Sequence, residues 1–545
     1  MSIWKRKPLA LLLDEASDTE KGLKKTLTAT GLTALGVGAI IGAGLFSITG
    51  MAAATNAGPA ITISFIVAAI GCVFAGLCYA EFSSMIPVAG SAYTYSFATM
   101  GEFIAWIIGW DLVLEYAVGA ATVSISWSRY LGKFLEGYGI HISDSFMLSP
   151  FEGGIINVPA VLIVMIMSLI LIRGTKESAF VNGIIVMLKV TVVLVFIALG
   201  WQYIRPENYT PYIPQNTGAF GEFGFSGIIR AAAIVFFAYI GFDAVSTAAQ
   251  EAKNPKRDMP IGILLSLGIC TVLYILFAHV MTGVVNYSAF AGADGIAPVA
   301  IAIDNMGSAD ASGMITPAFP WLNKAIILAI LGGYASVILV MLMGQSRVFF
   351  SMSKDGLMPK VFSEVHPKFR TPAKNNLLFM LIVSLFAAFV PARVVGEMTS
   401  IGTLFAFILV CLGVLVMRKK MPEAPRAFRT PLVPLVPILG ILVCLFMMVF
   451  LPLDTWIRLI VWMMIGFDLY IFYGMKNSVL NKGSFDNNSY KVVSLSGLGM
   501  VVALVVVAII HHMDPAIDDS FLYYFSLVFS AIHAIIYFMS YRKNK

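Results

Sequence analysis

Apolar runs about as long as a bilayer is thick recur along the whole 545-residue chain, separated by short stretches of charge, proline and glycine. A helix of roughly 20 apolar residues crosses the hydrocarbon core, and in lipid only helices or closed barrels satisfy the backbone. Fourteen such runs can be read, at about 29–55, 58–86, 95–122, 157–173, 180–203, 225–250, 259–284, 322–353, 374–391, 400–418, 432–451, 455–475, 493–512 and 519–541. The composition agrees: 59% of residues are apolar and 12% charged, against roughly 45–50% and 25% in soluble domains. A mean hydropathy of +0.87 exceeds what a globule can bury. A soluble enzyme is excluded, and a net charge of +6 also excludes a disordered or nucleic-acid-binding chain. The expected fold is all-α and membrane-embedded, with about 14 transmembrane helices.

Lysine and arginine orient the array, because they collect on the cytoplasmic side of membrane proteins. With both termini inside, 28 of the 36 basic residues fall in cytoplasmic segments and six outside, with Lys189 and Arg230 left within runs. A missed run would invert every later loop and destroy that split. The chain divides into a cytoplasmic segment 1–28, a ten-helix core 29–418, helices 11 and 12 over 419–475, and two further helices over 476–545.

Motifs for other chemistries are weak. There is no GxxxxGK[ST], hence no ATP-driven cassette. Gly36-Val37-Gly38-Ala39-Ile40-Ile41-Gly42 approaches a dinucleotide fingerprint, but no strand precedes it. Cys72, Cys78, Cys270, Cys411 and Cys444 lie inside apolar runs without a CxxC pair and are expected as small buried residues. His511 and His512, followed by Asp514, Asp518 and Asp519, read as a polar rim rather than a metal site. No catalytic residue, metal or cofactor is expected.

Two runs are interrupted near their middle. The first reads Gly38-Ala39-Ile40-Ile41-Gly42-Ala43-Gly44-Leu45-Phe46, and the sixth Phe236-Phe237-Ala238-Tyr239-Ile240-Gly241-Phe242-Asp243. Each glycine disfavours helix by about 1 kcal/mol against alanine. Close packing through small residues would explain either break alone. The pairing points further, because runs one and six hold equivalent places if runs 1–5 and 6–10 form two five-helix halves. Transporters built on inverted repeats use broken helices whose half-helix N-termini hold an anion while unwound carbonyls hold a cation. An α-amino acid carries both groups side by side. The backbone of Gly42, Ala43 and Gly44 is expected to take its carboxylate. The carbonyls of Ile40, Ile41 and Phe237, with Ile240 beside them, are expected at its ammonium.

At these residues the chain resembles a known family. Gly42-Ala43-Gly44-Leu45-Phe46 fits the G-x-G-[IL]-F signature of the amino acid–polyamine–organocation superfamily. Phe237 to Asp243 with Glu251-Ala252-Lys253-Asn254-Pro255 is similar to its sixth helix and following loop. Arg347 through Ser353-Lys354-Asp355-Gly356-Leu357-Met358-Pro359 is similar to its helix 8–9 connection. The resemblance covers about residues 25–475 and is strongest to the bacterial branch of the cationic amino acid transporters, whose members also carry neutral amino acids. It implies a leucine-transporter-like five-plus-five inverted-repeat core, with four extra helices here.

An ionisable residue in mid-membrane costs at least about 2.5–3.5 kcal/mol unpaired. Lys189 stands deep in the fifth run. An ion pair with Glu115 or Asp111 is one reading. The resemblance implies another, in which its ammonium replaces a coupling sodium ion, with Ser336 or the carbonyls around Gly42 as partners. Burial disfavours a charged amine, so proton release is accessible to such a lysine. Asp111 and Glu115 lie four apart on one helical face, where neighbouring carboxylates favour sharing a proton; Glu115, expected near Lys189, is the second coupling candidate. Asp243 is expected to order the sixth-run break or to gate it. Glu81, Asp468 and Arg230 read as local or interface groups. The resemblance makes Phe237 a gate and places Met341 in the side-chain pocket, where a bulky apolar residue disfavours arginine.

The expected function is secondary active transport: proton-coupled symport of small neutral L-amino acids at the plasma membrane, with the proton as coupling ion and no sodium site. A cationic amino acid or polyamine carrier and a non-transporting amino acid sensor are the alternatives. The expected partners are the substrate and the bilayer, and a small membrane subunit is left open.

Overall fold

The computed structural model describes residues 2–9, 11–12, 27–86, 88, 90–173, 178–291, 298–309, 315–369, 371–482, 485–513 and 520–543. Asp514, Asp518 and Asp519 lie outside them. The first apolar run begins as helix α1 (Ala29–Ile40), capped by the Thr28 side chain on the Gly31 N–H. It bends at Ile41–Gly42 and resumes as a π-helical turn, Gly44–Ile48, a helical turn, Thr49–Ala52, and a second π-turn, Ala53–Ala57. Gly58, Pro59 and Ala60 then turn the chain into α2 (Ile61–Met85).

A short helix α3 (Ser91–Thr99) precedes the 35-residue α4 (Glu102–Glu136). This corrects the expected third run at 95–122. Gly101 has φ +108°, and a Cβ there would lie 2.7 Å from the Trp4 carbonyl, so the chain turns at that glycine instead of continuing as helix. Helices α5 (Val158–Arg173) and α6 (Ser178–Gly200) follow.

The sixth run opens as α7 (Gly224–Val235), tightens to a 3₁₀ turn at Phe236–Tyr239, and restarts as 3₁₀ helix over Asp243–Glu251. Then come α8 (Pro255–Val284), α9 (Pro320–Lys354), α10 (Ala373–Phe389) and α11 (Ala392–Lys420). The last of these starts eight residues before the expected 400, straight after Pro391, which is favourable at a helix start. Arg393 therefore sits in the first turn of α11 and pairs with Glu397 at 2.9 Å. Helices α12 (Leu435–Val449), α13 (Leu453–Leu469), α14 (Asn487–His512) and α15 (Ser520–Lys543) complete the chain. A two-stranded antiparallel ribbon pairs Gly307–Ala309 with Ile315–Pro317.

Among the described residues, ten helical stretches are long and apolar enough to cross a membrane; the first, Ala29–Met85, takes in both the first and second runs. Three shorter apolar helices are α5, α10 and α12. Large apolar side chains such as Leu162, Met187, Leu381 and Val502 are exposed on the outside of the array, the distribution a lipid-facing surface requires.

Polar side chains tie distant segments together. Glu81 is fully buried and takes a bidentate pair from Arg418 at 2.9 Å, an Arg426 contact at 3.1 Å and the Thr430 N–H at 2.8 Å. It is a long-range clamp of α2 to α11 and the following loop, not the local group expected. Asp468 meets His533 at 3.0 Å and thereby joins α13 to α15. The N-terminal segment is pinned by Lys7–Asp355 at 3.0 Å and by Phe103 N–H to Ile3 carbonyl at 3.2 Å.

Candidate functional site

The two breaks meet. A Cβ on Gly44 would fall 2.2 Å from Ala238 Cα, and one on Gly241 2.8 Å from the Ala39 carbonyl carbon. Gly241 also has φ +116°, a conformation open in practice to glycine. Only residues without a side chain let the two bent backbones touch. Tyr274 of α8 adds a hydroxyl that lies 2.8 Å from both the Ile40 and the Ala238 carbonyls, linking the breaks.

The first break exposes carbonyls, and Lys189 of α6 fills them. Its Nζ donates to Gly38 O at 2.8 Å and to Ile41 O at 3.1 Å. The side chain is 1% exposed, and its Cε lies 2.7 Å from where a Cβ on Gly333 would be. The amine is thus clasped between α1 and α9. Ser336, buried one helical turn beyond Gly333, shares that face of α9, and Val337 packs on Gly42. Lys189 makes no ion pair with Glu115 or Asp111 among the described residues, so the expected approach of Glu115 to Lys189 is corrected: its hydrogen bonds are spent on backbone carbonyls.

The second break exposes N–H groups, and a carboxylate fills them. Asp243 is fully buried; one of its oxygens accepts from the Gly241 N–H at 3.1 Å and the other from the Tyr116 hydroxyl at 2.8 Å. The side chain orders the unwound segment. Phe237 is 4% exposed beside it, and its carbonyl accepts from the Ile240 N–H at 3.2 Å.

Between the breaks, Gly42, Ala43 and Gly44 stand where the next half-helix begins, and the first N–H groups of a helix have no acceptor within it. The Gly42 carbonyl accepts from Phe46 at 3.1 Å. The carbonyls expected for an ammonium are partly engaged: Ile40 by Tyr274, Ile41 by Lys189, and Phe237 by Ile240. Each keeps a second lone pair.

Asp111 and Glu115 of α4 are 0% and 1% exposed, and none of their oxygens has a hydrogen-bond partner among the described residues. They face Gly402 of α11, where a Cβ would lie 3.2 Å from Asp111 Oδ1. Met341 is buried, with its sulfur 2.9 Å from where a Gly119 Cβ would stand. Arg230, midway along α7, donates to the Phe220 carbonyl in the loop before that helix at 3.0 Å. Sequence reasoning missed Tyr274, whose signal, a hydroxyl inside the apolar stretch Thr271–Val280, does not say which carbonyls it meets.

An array of membrane-length helices with two interlocked, oppositely satisfied helix breaks is a multi-pass membrane transporter architecture. A family model described as amino acid permease matches residues 27–469, and the chain belongs to that family, within the amino acid–polyamine–organocation superfamily; its members are transporters, not enzymes. The chain is 46% identical over 485 residues to the branched-chain amino acid permease BcaP of Bacillus subtilis (strain 168), covering 88% of this chain and 99% of that protein. It is 42% identical to the methylthioribose transporter of the same organism, over 88% of this chain and 100% of that protein. Vacuolar cationic amino acid transporter 4 of Arabidopsis thaliana is 34% identical, over 75% of this chain and 65% of that protein.

Proposed function

We propose that this amino acid transporter is a proton-coupled symporter of small neutral L-amino acids in the plasma membrane, working by alternating access. The observation that carries the reading is Lys189 on the Gly38 and Ile41 carbonyls. An ammonium here occupies the place where a coupling cation would draw the broken first helix against α6 and α9. While charged it holds that closure. On losing its proton it keeps one hydrogen-bond donor fewer and no charge, and the closure loosens. Glu115 and Asp111 are the second proton-handling groups, since the charged form of an unpartnered buried carboxylate is costly.

In this reading the N–H groups of Gly42, Ala43 and Gly44 hold the substrate carboxylate, and the remaining lone pairs of the Ile40, Ile41 and Phe237 carbonyls hold its ammonium. Phe237 closes over it and Met341 limits the side chain. The helices support fourteen crossings in a five-plus-five core plus four, because a helix lies in each of the fourteen apolar runs. No sodium site is invoked. A second reading comes from the methylthioribose relative, since a sugar needs neither an ammonium nor a carboxylate site.

The test is uptake into sodium-free proteoliposomes with an inward proton gradient, using labelled L-alanine, L-valine, L-lysine and methylthioribose. Accumulation of a neutral amino acid only with the gradient supports the proposal. A sodium requirement or preference for lysine contradicts it, and uptake of methylthioribose alone replaces the substrate reading. Absence of both uptake and exchange favours a sensor.

A further inference from the structure

The first turns of α8 form one wall of a groove of about 740 Å³ that lies away from the helix breaks. Lys256 and Arg257 stand at its start, Pro260, Leu264 and Leu265 continue it, and Phe428 faces them from the loop after α11. Helical rise sets the charged and apolar ends about 12 Å apart. Leu265 is 50% exposed on a helix apolar enough to cross the membrane, so the apolar end opens to lipid. Lys256 and Arg257 are exposed and have no acidic partner among the described residues. The nearest carboxylate in sequence, Asp258, turns back to cap the Asn254 N–H at 3.3 Å.

The facing wall is held in place. Phe428 N–H donates to Ser84 Oγ at 3.3 Å, and Thr430 is bound through its N–H to Glu81 at 2.8 Å and through its hydroxyl to the Leu77 carbonyl at 3.0 Å. The Glu81 clamp thus fixes the loop to α2. The result is a shallow, open groove with two cations at an interface end and an apolar floor leading toward the bilayer. The start of α8 adds positive helix-dipole charge at the same end.

We propose that this groove binds an anionic phospholipid, with its phosphate on Lys256 and Arg257 and an acyl chain along Leu264, Leu265 and Phe428. Charge complementarity selects an anionic headgroup, and juxtamembrane basic residues on the lysine-rich side of a membrane meet such lipids. A soluble anion would use the cations but not the apolar floor. An amphipathic peptide would use both without requiring a phosphate.

The experiment uses the full chain purified in dodecyl maltoside, titrated with dioleoylphosphatidylglycerol or dioleoylphosphatidylcholine and read by native mass spectrometry. The wild type is expected to retain phosphatidylglycerol in preference to phosphatidylcholine. Lys256→Gln with Arg257→Gln should weaken phosphatidylglycerol roughly tenfold or more and abolish the preference, while Lys256→Arg with Arg257→Lys should keep it. Equal retention of both lipids by the wild type, or an unchanged preference in the neutral variant, overturns the proposal. So does full displacement of the lipid by millimolar inorganic phosphate, which would mark a soluble-anion site. Should the neutral variant not fold, Leu264→Trp fills the acyl side and leaves the charges in place. Weaker retention of phosphatidylglycerol by that variant supports the proposal, and retention at the wild-type level overturns it.

Discussion

The first and sixth runs break in the same way and are repaired in opposite ways. At the first, helix α1 ends at Ile40 and leaves carbonyls, and a cation from α6 is inserted among them. At the sixth, the chain unwinds over Ile240–Phe242 and leaves N–H groups, and the Asp243 carboxylate, steadied by Tyr116 of α4, is inserted there. Backbone freed at membrane depth must be buried in protein or line a water-filled cavity, and each break takes a side chain of the sign it needs. What neither repair uses is the row of N–H groups at Gly42–Gly44. One break is thus held from outside, by a side chain of α6, and the other from within, by a side chain of the broken segment itself; in the proposed mechanism only the first hold is released by loss of a proton.

The largest effect that breaks this comparison is expected from Gly44→Ala. Its Cβ would meet backbone atoms of Ala238 at 2.2 Å, so the two breaks cannot stay in contact. The overpacking cost is about 3 kcal/mol, the upper end of the usual range because the clash is with backbone, and labelled amino acid binding by scintillation proximity should fall by roughly a hundredfold. Next is Asp243→Ala, which strands the Gly241 N–H and the Tyr116 hydroxyl in a dry site. Each unmade bond costs about 1–3 kcal/mol, and a drop in thermal midpoint with loss of exchange is expected. Asp243→Asn, which keeps an acceptor, should lose less.

A paired test on α9 sharpens the difference between the breaks. A Cβ on Gly333 would lie 2.7 Å from Lys189 Cε, whereas one on Gly332 has nothing within 4 Å. Gly333→Ala should displace the amine and depress gradient-driven uptake about tenfold, with exchange less affected, while Gly332→Ala stays near wild type in both. The smallest effect is expected from Met341→Ala, which removes the side chain packed on Gly119 and would enlarge the proposed substrate pocket. Competition assays should show selectivity shifting toward larger side chains by roughly tenfold, the order expected for a few methylene groups.

Much of this was legible because glycine and charge are conspicuous inside apolar runs. Gly42, Gly44 and Gly241 stand out against a lipid-embedded background, and Lys189 has no apolar explanation. The partners were not legible. The carbonyls that receive Lys189 belong to a helix about 150 residues away, and a carbonyl carries no sequence signal. Glu115 and Asp111, on the expected shared face of α4, turn toward Gly402 and not toward Lys189, because which face meets which neighbour is set by packing. Glu81 finds Arg418 only through the fold, at a separation of 337 residues. The extra residues at the start of α11 and the stop at Gly101 depend on Pro391 and on contact with Trp4, and apolar periodicity records neither.

The most direct test of the account compares wild type with Lys189→Ala in sodium-free proteoliposomes, measuring both counterflow exchange and proton-gradient-driven accumulation of the same labelled amino acid. The account predicts that the wild type accumulates substrate with the gradient and that the variant loses this accumulation. It also predicts that any exchange the variant retains depends less on pH than that of the wild type. Normal gradient-driven accumulation by folded Lys189→Ala protein would contradict it, and would make the clasp on Gly38 and Ile41 a purely structural contact.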